Sequence, residues 1–232
     1  YSWGNGRNST YTFRPIEMNI IDVKSISSEF LALFNDNPYL RQSYESQYIA
    51  DISGSYLYNA HRANGNTLTI RANVELAGNL TYLLRSWVSD AITDEVKDAD
   101  NNIIGYDTYY KIFGIRFAQY FRTDVSLSNT IRFGSTALAY RFYGGIGLPY
   151  GNVNTLPVDR MFYAGGSNSM RGWVVRTLGP GETPTPQNNL FNRQMGNMRL
   201  EANVEFRFPI WSSLHGAVFF DVGNVWNTPE YK

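Results

Sequence analysis

The residues of this chain that could do chemistry are few, and most of them fail on spacing. His61 and His215 are its 2 histidines and it has no cysteine, which excludes disulfides, thiolate nucleophiles and Cys-ligated zinc. Both histidines fall at or beside tight turns with no acid nearby in sequence, so a His-centred triad or a zinc site lacks its context. No G-x-S-x-G elbow is present. Asp98, Asp100 and Asn102 have calcium-like spacing, but the glycine comes at Gly105 and Tyr109 stands where a bidentate glutamate is required. That stretch reads as a solvated loop, with a weak cation contact as the sharper alternative. The run GGIGLPYG, Gly144 to Gly151, has the glycines of a phosphate loop but lies inside an alternating strand leading to Pro149, with no helix to follow. What remains is Arg171 in YAGGSNSMRGW, Tyr163 to Trp173. A guanidinium offers a planar fork of donors suited to carboxylates, and Gly165, Gly166 and Gly172 let the backbone turn sharply around it. An exposed loop arginine with no fixed partner is the plainer alternative.

Such a side chain needs walls to face, and the flanking segments are written as walls. In NMRLEANVEFRFPI, Asn197 to Ile210, Met198, Leu200, Ala202, Val204, Phe206, Phe208 and Ile210 alternate with Arg199, Glu201, Asn203, Glu205 and Arg207. Period two gives one apolar face and one charged face. NTLTIRANVELA, Asn66 to Ala77, repeats the pattern, and further strands are expected over Tyr11 to Lys24, Gln47 to Ala60, Phe113 to Phe133, Ala137 to Leu148 and Leu214 to Trp226. Several exceed the ordinary strand of about 5 to 6 residues and suit a tilted bilayer crossing of about 9 to 11. Gly145 and Gly147 fall on the charged parity, where they leave room for a chain inside.

The connections alternate in length. Ala63 to Asn66, Gly134 to Thr136 and Trp211 to Ser213 are tight, whereas Ser25 to Tyr44, Ser86 to Lys111 and Gly151 to Gln194 are long excursions. One short side and one long side is the layout of an outer-membrane meander. Tyr56, Tyr58, Tyr120, Phe121, Phe133, Tyr150, Phe208, Trp211 and Trp226 suit interfacial girdles, and Ser25 to Asn35 suits a short helix capped by Ser28. A soluble barrel with core aromatics also alternates and stays open as a reading. Mean hydropathy is −0.32, which a barrel permits because its lipid face hides in alternation. Formal net charge is zero, so no basic stripe marks a nucleic-acid partner. Seven strands with open edges would be hazardous as a whole protein. The chain, which starts at Tyr1, therefore reads as a piece of a larger barrel that does not fold alone.

MFYAGGSNSMRGW (Met161 to Trp173), RTLGPG (Arg176 to Gly181), VEFRFP (Val204 to Pro209) and FFDVGNVW (Phe219 to Trp226) occur in the order found in the bacterial surface-antigen superfamily of BamA/TamA-like assembly proteins and two-partner secretion transporters. The chain resembles that superfamily, and the stretches SQYIADISGSYLYN and GGIGLPYGN are most similar to TamA-like lipoproteins of Bacteroidetes. The resemblance implies an all-β fold: a partial transmembrane antiparallel β-barrel, about seven strands of a roughly sixteen-stranded barrel. It also implies a long inward-folded loop over residues 151–194, with POTRA domains and terminal strands outside this chain. In the family the loop arginine meets acidic groups of the inner wall. The positions here are Arg171, with Gly165, Gly166, Gly172 and Trp173 around it, and Glu205, Asp221 and Gly223 on the wall; parity independently puts Glu205 and Asp221 on the charged face. That role is to pin a loop, with no catalytic residue, metal or cofactor.

The implied function is assembly, insertion or translocation of other outer-membrane proteins in the bacterial outer membrane. A dedicated polypeptide exporter of the two-partner type, or the barrel part of a lipase fusion, are the alternatives. Implied partners are client outer-membrane proteins and the bilayer, then lipopolysaccharide and inner-membrane or periplasmic assembly factors.

Overall fold

Alternation becomes geometry in one long sheet whose wall is antiparallel. The computed structural model describes residues 1–6, 8–24, 42–88, 90–97, 102–182 and 194–228. Its wall consists of β1 (Ser2–Asn5), β2 (Ser9–Ile21), β3 (Gln47–His61), β4 (Thr67–Ala77), β9 (Tyr120–Phe133), β10 (Thr136–Pro149), β11 (Met198–Trp211) and β12 (Leu214–Trp226), hydrogen-bonded in that order. The wall is not closed. From β2 onward its strands run 11 to 15 residues, the length a tilted membrane crossing needs.

The two faces invert the rule for soluble proteins. Val74, Val125, Phe142, Leu200, Phe220 and Val222 are exposed on one face, while Asp51, Glu75, Asp124 and Glu201 are buried on the other. A continuous apolar surface outside and buried carboxylates inside suit lipid around a polar lumen, and the soluble-barrel alternative falls on this inversion. In β2 the register shifts between Arg14 and Glu17, around Pro15, which has no N–H to give the ladder. Apolar exposure accordingly passes from Phe13 to Ile16 and Met18, a parity change within one strand.

Several expectations need correction. β1 adds an eighth strand to the seven expected along the wall. The single strand expected from Phe113 to Phe133 is two, β8 (Ile115–Phe117) and β9, and just before them β7 (Lys111–Ile112) turns into β8 at Phe113 and Gly114, both with positive φ (52° and 79°). β8 runs parallel beside β3, whereas β9 begins opposite Ala77 of β4. The chain steps from one line to the other at Ala118, where Gly78 is held in the left-handed region (φ 77°) and a Cβ on it would lie 2.2 Å from the Ala118 carbonyl oxygen. The excursion from Ser86 to Lys111 carries its own hairpin, β5 (Ile92–Lys97) with β6 (Ile103–Tyr109), after two helical turns, α1 (Asn79–Leu83) and α2 (Arg85–Val88). Tyr120 is no interfacial girdle residue: it is fully buried on the inner face and its hydroxyl donates to Glu75. The helix expected at Ser25 to Asn35 and the acids Asp98 and Asp100 lie outside the described residues.

Candidate functional site: the loop against the inner wall

The segment from Gly151 to Glu182 lies against the charged face of β3, β4 and β9 to β12, and small residues make the space. A Cβ on Gly145 would meet the Phe162 ring at 2.6 Å, and one on Gly147 would meet the Leu156 side chain at 2.5 Å. Two apolar clusters hold the segment. Near its stem, Leu156 and Met161 pack with Ile49, Ala77, Ala118, Tyr120 and Met195. Near its tip, Phe162, Ala164 and Met170 pack with Val225. Burying a side chain of this size contributes about 1.5–3 kcal/mol.

At the tip the structure brings Arg171 to both acidic residues named from the sequence. Its Nε donates to Asp221 Oδ2 at 2.8 Å and its Nη2 to Asp221 Oδ1 at 2.7 Å. Its Nη1 donates to Glu205, and its backbone N–H donates to Asp221 Oδ2 at 3.1 Å. The guanidinium carbon also lies 3.7 Å from the centroid of the Phe219 ring, a cation–π placement. Asn203 joins wall to loop by donating to Asp221 Oδ1 and to the Ser169 carbonyl, both at 2.9 Å. The hydrogen bond to Asp221 raises the guanidinium's pKa above its already high ordinary value, against the opposing desolvation. Arg171 is therefore charged at every physiological pH.

The other named residues divide. Gly165 and Gly166 have φ of 102° and 91°, and a Cβ on Gly165 would lie 2.3 Å from the Val174 carbonyl oxygen, so the tight turn needs glycine there. Gly172, expected to share that role, has open space around it and no positive φ. Trp173 closes the turn through its backbone, donating to the Met170 carbonyl and accepting from Gly166 N–H, while the residue is 41% exposed. Gly223 pairs with Glu201 across β11 and β12, and a side chain on it would meet β11 first.

Sequence reasoning missed a second polar centre at the tip. The Glu201 side chain is wholly buried; it accepts from Arg141 Nη2 at 2.7 Å, Arg199 Nε at 2.8 Å and Ser169 Oγ at 2.5 Å. Arg141 also donates to the Asn168 carbonyl. The signal was available: Glu201 shares Glu205's face of the same strand and stands opposite Gly223. The stem was missed too. Arg160 lies 3.5 Å from Asp51 and 3.4 Å from Glu75, and its carbonyl accepts from Arg122 Nε at 3.0 Å.

Above the stem, the connection between β4 and β9 is tied to the loop's first residues. Arg116 clamps Asp107 with bonds of 2.5 and 3.1 Å and donates through Nε to the Asn152 carbonyl at 2.7 Å. The Asn152 side-chain amide donates to the Tyr110 and Phe117 carbonyls, and Asn154 donates to Asp107 at 3.0 Å. Tyr109, hydrogen-bonded to Asp94 at 2.7 Å, has its phenol pushed up to about 12 by burial and that carboxylate, so it stays a neutral donor. Among the described residues no group of three or more His, Asp or Glu is arranged to hold a metal ion.

Among curated proteins none matches the chain. Among solved structures it is similar to the crystal structure of BamA from Haemophilus ducreyi lacking POTRA domains 1–3, at 13% identity and a TM-score of 0.40. That match covers 97% of this chain and 53% of the other, so the chain spans about half the length of that structure. Residues 35–232 match the Omp85 superfamily domain.

Proposed function

The chain belongs to the Omp85 superfamily, and from that premise we propose that it forms part of an outer-membrane barrel that assembles, inserts or translocates other outer-membrane proteins. Its loop is held in the lumen by Arg171. The observation that carries this reading is the fork at the tip: one guanidinium bridges Asp221 of β12 and Glu205 of β11. The Arg171, Glu205 and Asp221 side chains are 22%, 18% and 6% exposed. Partly desolvated and bidentate, this contact is of the kind whose truncation costs about 2–5 kcal/mol. Its role is positional and non-enzymatic. It sets where the loop lies while client polypeptides and the bilayer are handled by other surfaces of the barrel.

The test is a charge-reversal cycle in the full-length protein: Arg171→Glu, Asp221→Arg and the double variant. Heat-modifiability of the barrel and outer-membrane protein levels are the readouts. Both singles are expected to lose the folded mobility shift and lower client levels, and the double to recover part of both. A silent Arg171→Glu in both assays would remove the pinning role. An exporter predicts a different result, in which one secreted substrate is lost while general outer-membrane protein levels hold.

A further inference from the structure

Arg160 lies in the stem of the loop and meets the other half of the wall. Its Nη2 is 3.5 Å from Asp51 Oδ2 on β3, and its Nε is 3.4 Å from Glu75 Oε1 on β4 and 3.7 Å from its neighbour Asp159. Asp51 is almost fully buried and Glu75 nearly so. Tyr120 on β9 donates its hydroxyl to Glu75. Arg122 on β9 pairs with Asp124 at 3.3 Å, approaches Glu75 at 4.0 Å, and donates to Arg160's own carbonyl. A polar cavity of about 200 Å³ opens beside the group, and Arg14 and Glu17 of β2 line it with Ser53.

Two buried carboxylates on adjacent strands repel each other and lose hydration, so they need a cation close by. Arg160 supplies it from the loop. Its partners, Asp51, Glu75 and Asp159, include none of the groups that hold Arg171, and β9 and β10 lie between the two stations in the sheet. Sites without shared partners contribute independently. The contacts also differ in kind. Neither Arg160 Nε nor Asp51 Oδ2 has an aligned hydrogen bond, so the stem contact is charge pairing, whereas the tip contact is a directed fork.

We propose that Arg160 is a positioning residue that pins the loop stem to β3 and β4 independently of Arg171, so that the loop leaves the lumen only when two separate stations release. This rests on the reading that the loop occupies the lumen.

The experiment uses the full-length protein in native outer membranes with one introduced cysteine per variant. Ala164→Cys reports on the tip and Thr155→Cys on the stem, since both positions are buried and this chain has no other cysteine. The measurement is the rate of modification by a small maleimide, with heat-modifiability as the folding control. Arg160→Gln is expected to speed stem labelling by about tenfold or more, within what stranding buried carboxylates produces, and to leave tip labelling within about twofold. Arg171→Gln does the converse. Adding Asp51→Asn to Arg160→Gln changes the stem rate little further. Adding Asp221→Asn leaves the stem rate alone and raises the tip rate. Arg160→Lys keeps stem labelling near the parent rate because charge alone suffices there, which a general folding defect would not allow.

An unchanged stem rate in Arg160→Gln, stem and tip rates that rise together in every variant, or Arg160→Lys labelling as fast as Arg160→Gln would each overturn the proposal. If Arg171→Gln leaves the tip rate unchanged while Arg160→Gln speeds the stem, the tip pin fails and the stem pin stands.

Discussion

The tip and the stem of the loop meet the same wall in different ways. Each has an apolar cluster and each has an arginine facing two carboxylates on neighbouring strands. At the tip the guanidinium plane is matched to Asp221 by two bonds under 3 Å and the backbone adds a third contact to the same carboxylate. At the stem the shortest contacts of the Arg160 guanidinium to the wall are 3.4 and 3.5 Å, while its carbonyl accepts from Arg122 at 3.0 Å. Directed bonds fix where a group sits and how it is turned; a loose ion pair cancels charge with little demand on geometry. The tip thus encodes register, and the stem encodes retention through burial and neutralisation.

That contrast can be broken most strongly at Glu201. Glu201→Gln leaves Arg141 and Arg199 around a neutral amide in a fully buried position, and a loss of about 3–5 kcal/mol is expected, read by urea unfolding in lipid vesicles. The tip should loosen while stem protection holds. Leu156→Ala attacks the stem instead. Leu156 is 1% exposed, and a loss of about 3 kcal/mol should appear in the same assay with tip cysteine protection intact. Gly147→Val is expected to cost about 1–3 kcal/mol by overpacking, because the new side chain starts 2.5 Å from Leu156, and it should mimic Leu156→Ala in the labelling pattern. Arg207→Gln sharpens the comparison from the weak side: Arg207 donates to Glu205 at 2.5 Å but is 56% exposed, so a change of no more than about 1 kcal/mol is expected. Gly172→Ala should be the quietest, within about 0.5 kcal/mol, although it sits inside the Arg-Gly-Trp motif. A large loss there would mean that the backbone at Gly172 needs freedom that its ordinary φ does not reveal.

The wall was legible because period-two alternation is local. β3, β4, β10, β11 and β12 begin and end within two residues of where the pattern puts them. The break at Ala118 was not legible, because it is decided by Gly78 approaching from a distant point in the sequence. The Arg14 to Glu17 bulge hides similarly, since alternation resumes on the other parity after Pro15. At the loop tip and the wall facing it, motifs and parity pointed to Arg171, Glu205 and Asp221, which the structure brings together. They did not point to Ser169 and Arg160, because an irregular segment carries no periodicity to say which of its polar side chains face the wall; Glu75 lies on the charged parity of β4, but no motif singles it out. Phe219 was read only as part of a motif. It shares Asp221's parity on β12, and its ring lies under the Arg171 guanidinium.

The network around Asn152 has a mechanical consequence. Asn152 and Asn154 belong to the first residues of the loop, yet they are bonded to Tyr110, Phe117 and Asp107 of the connection that carries the β5 and β6 hairpin. A load applied to that hairpin from the long-loop rim is delivered through Arg116 to the backbone of Asn152, a short stretch of chain before Leu156 and Arg160. The hairpin and the loop stem are thereby joined by one tension line, so a pull on the hairpin tugs on the stem.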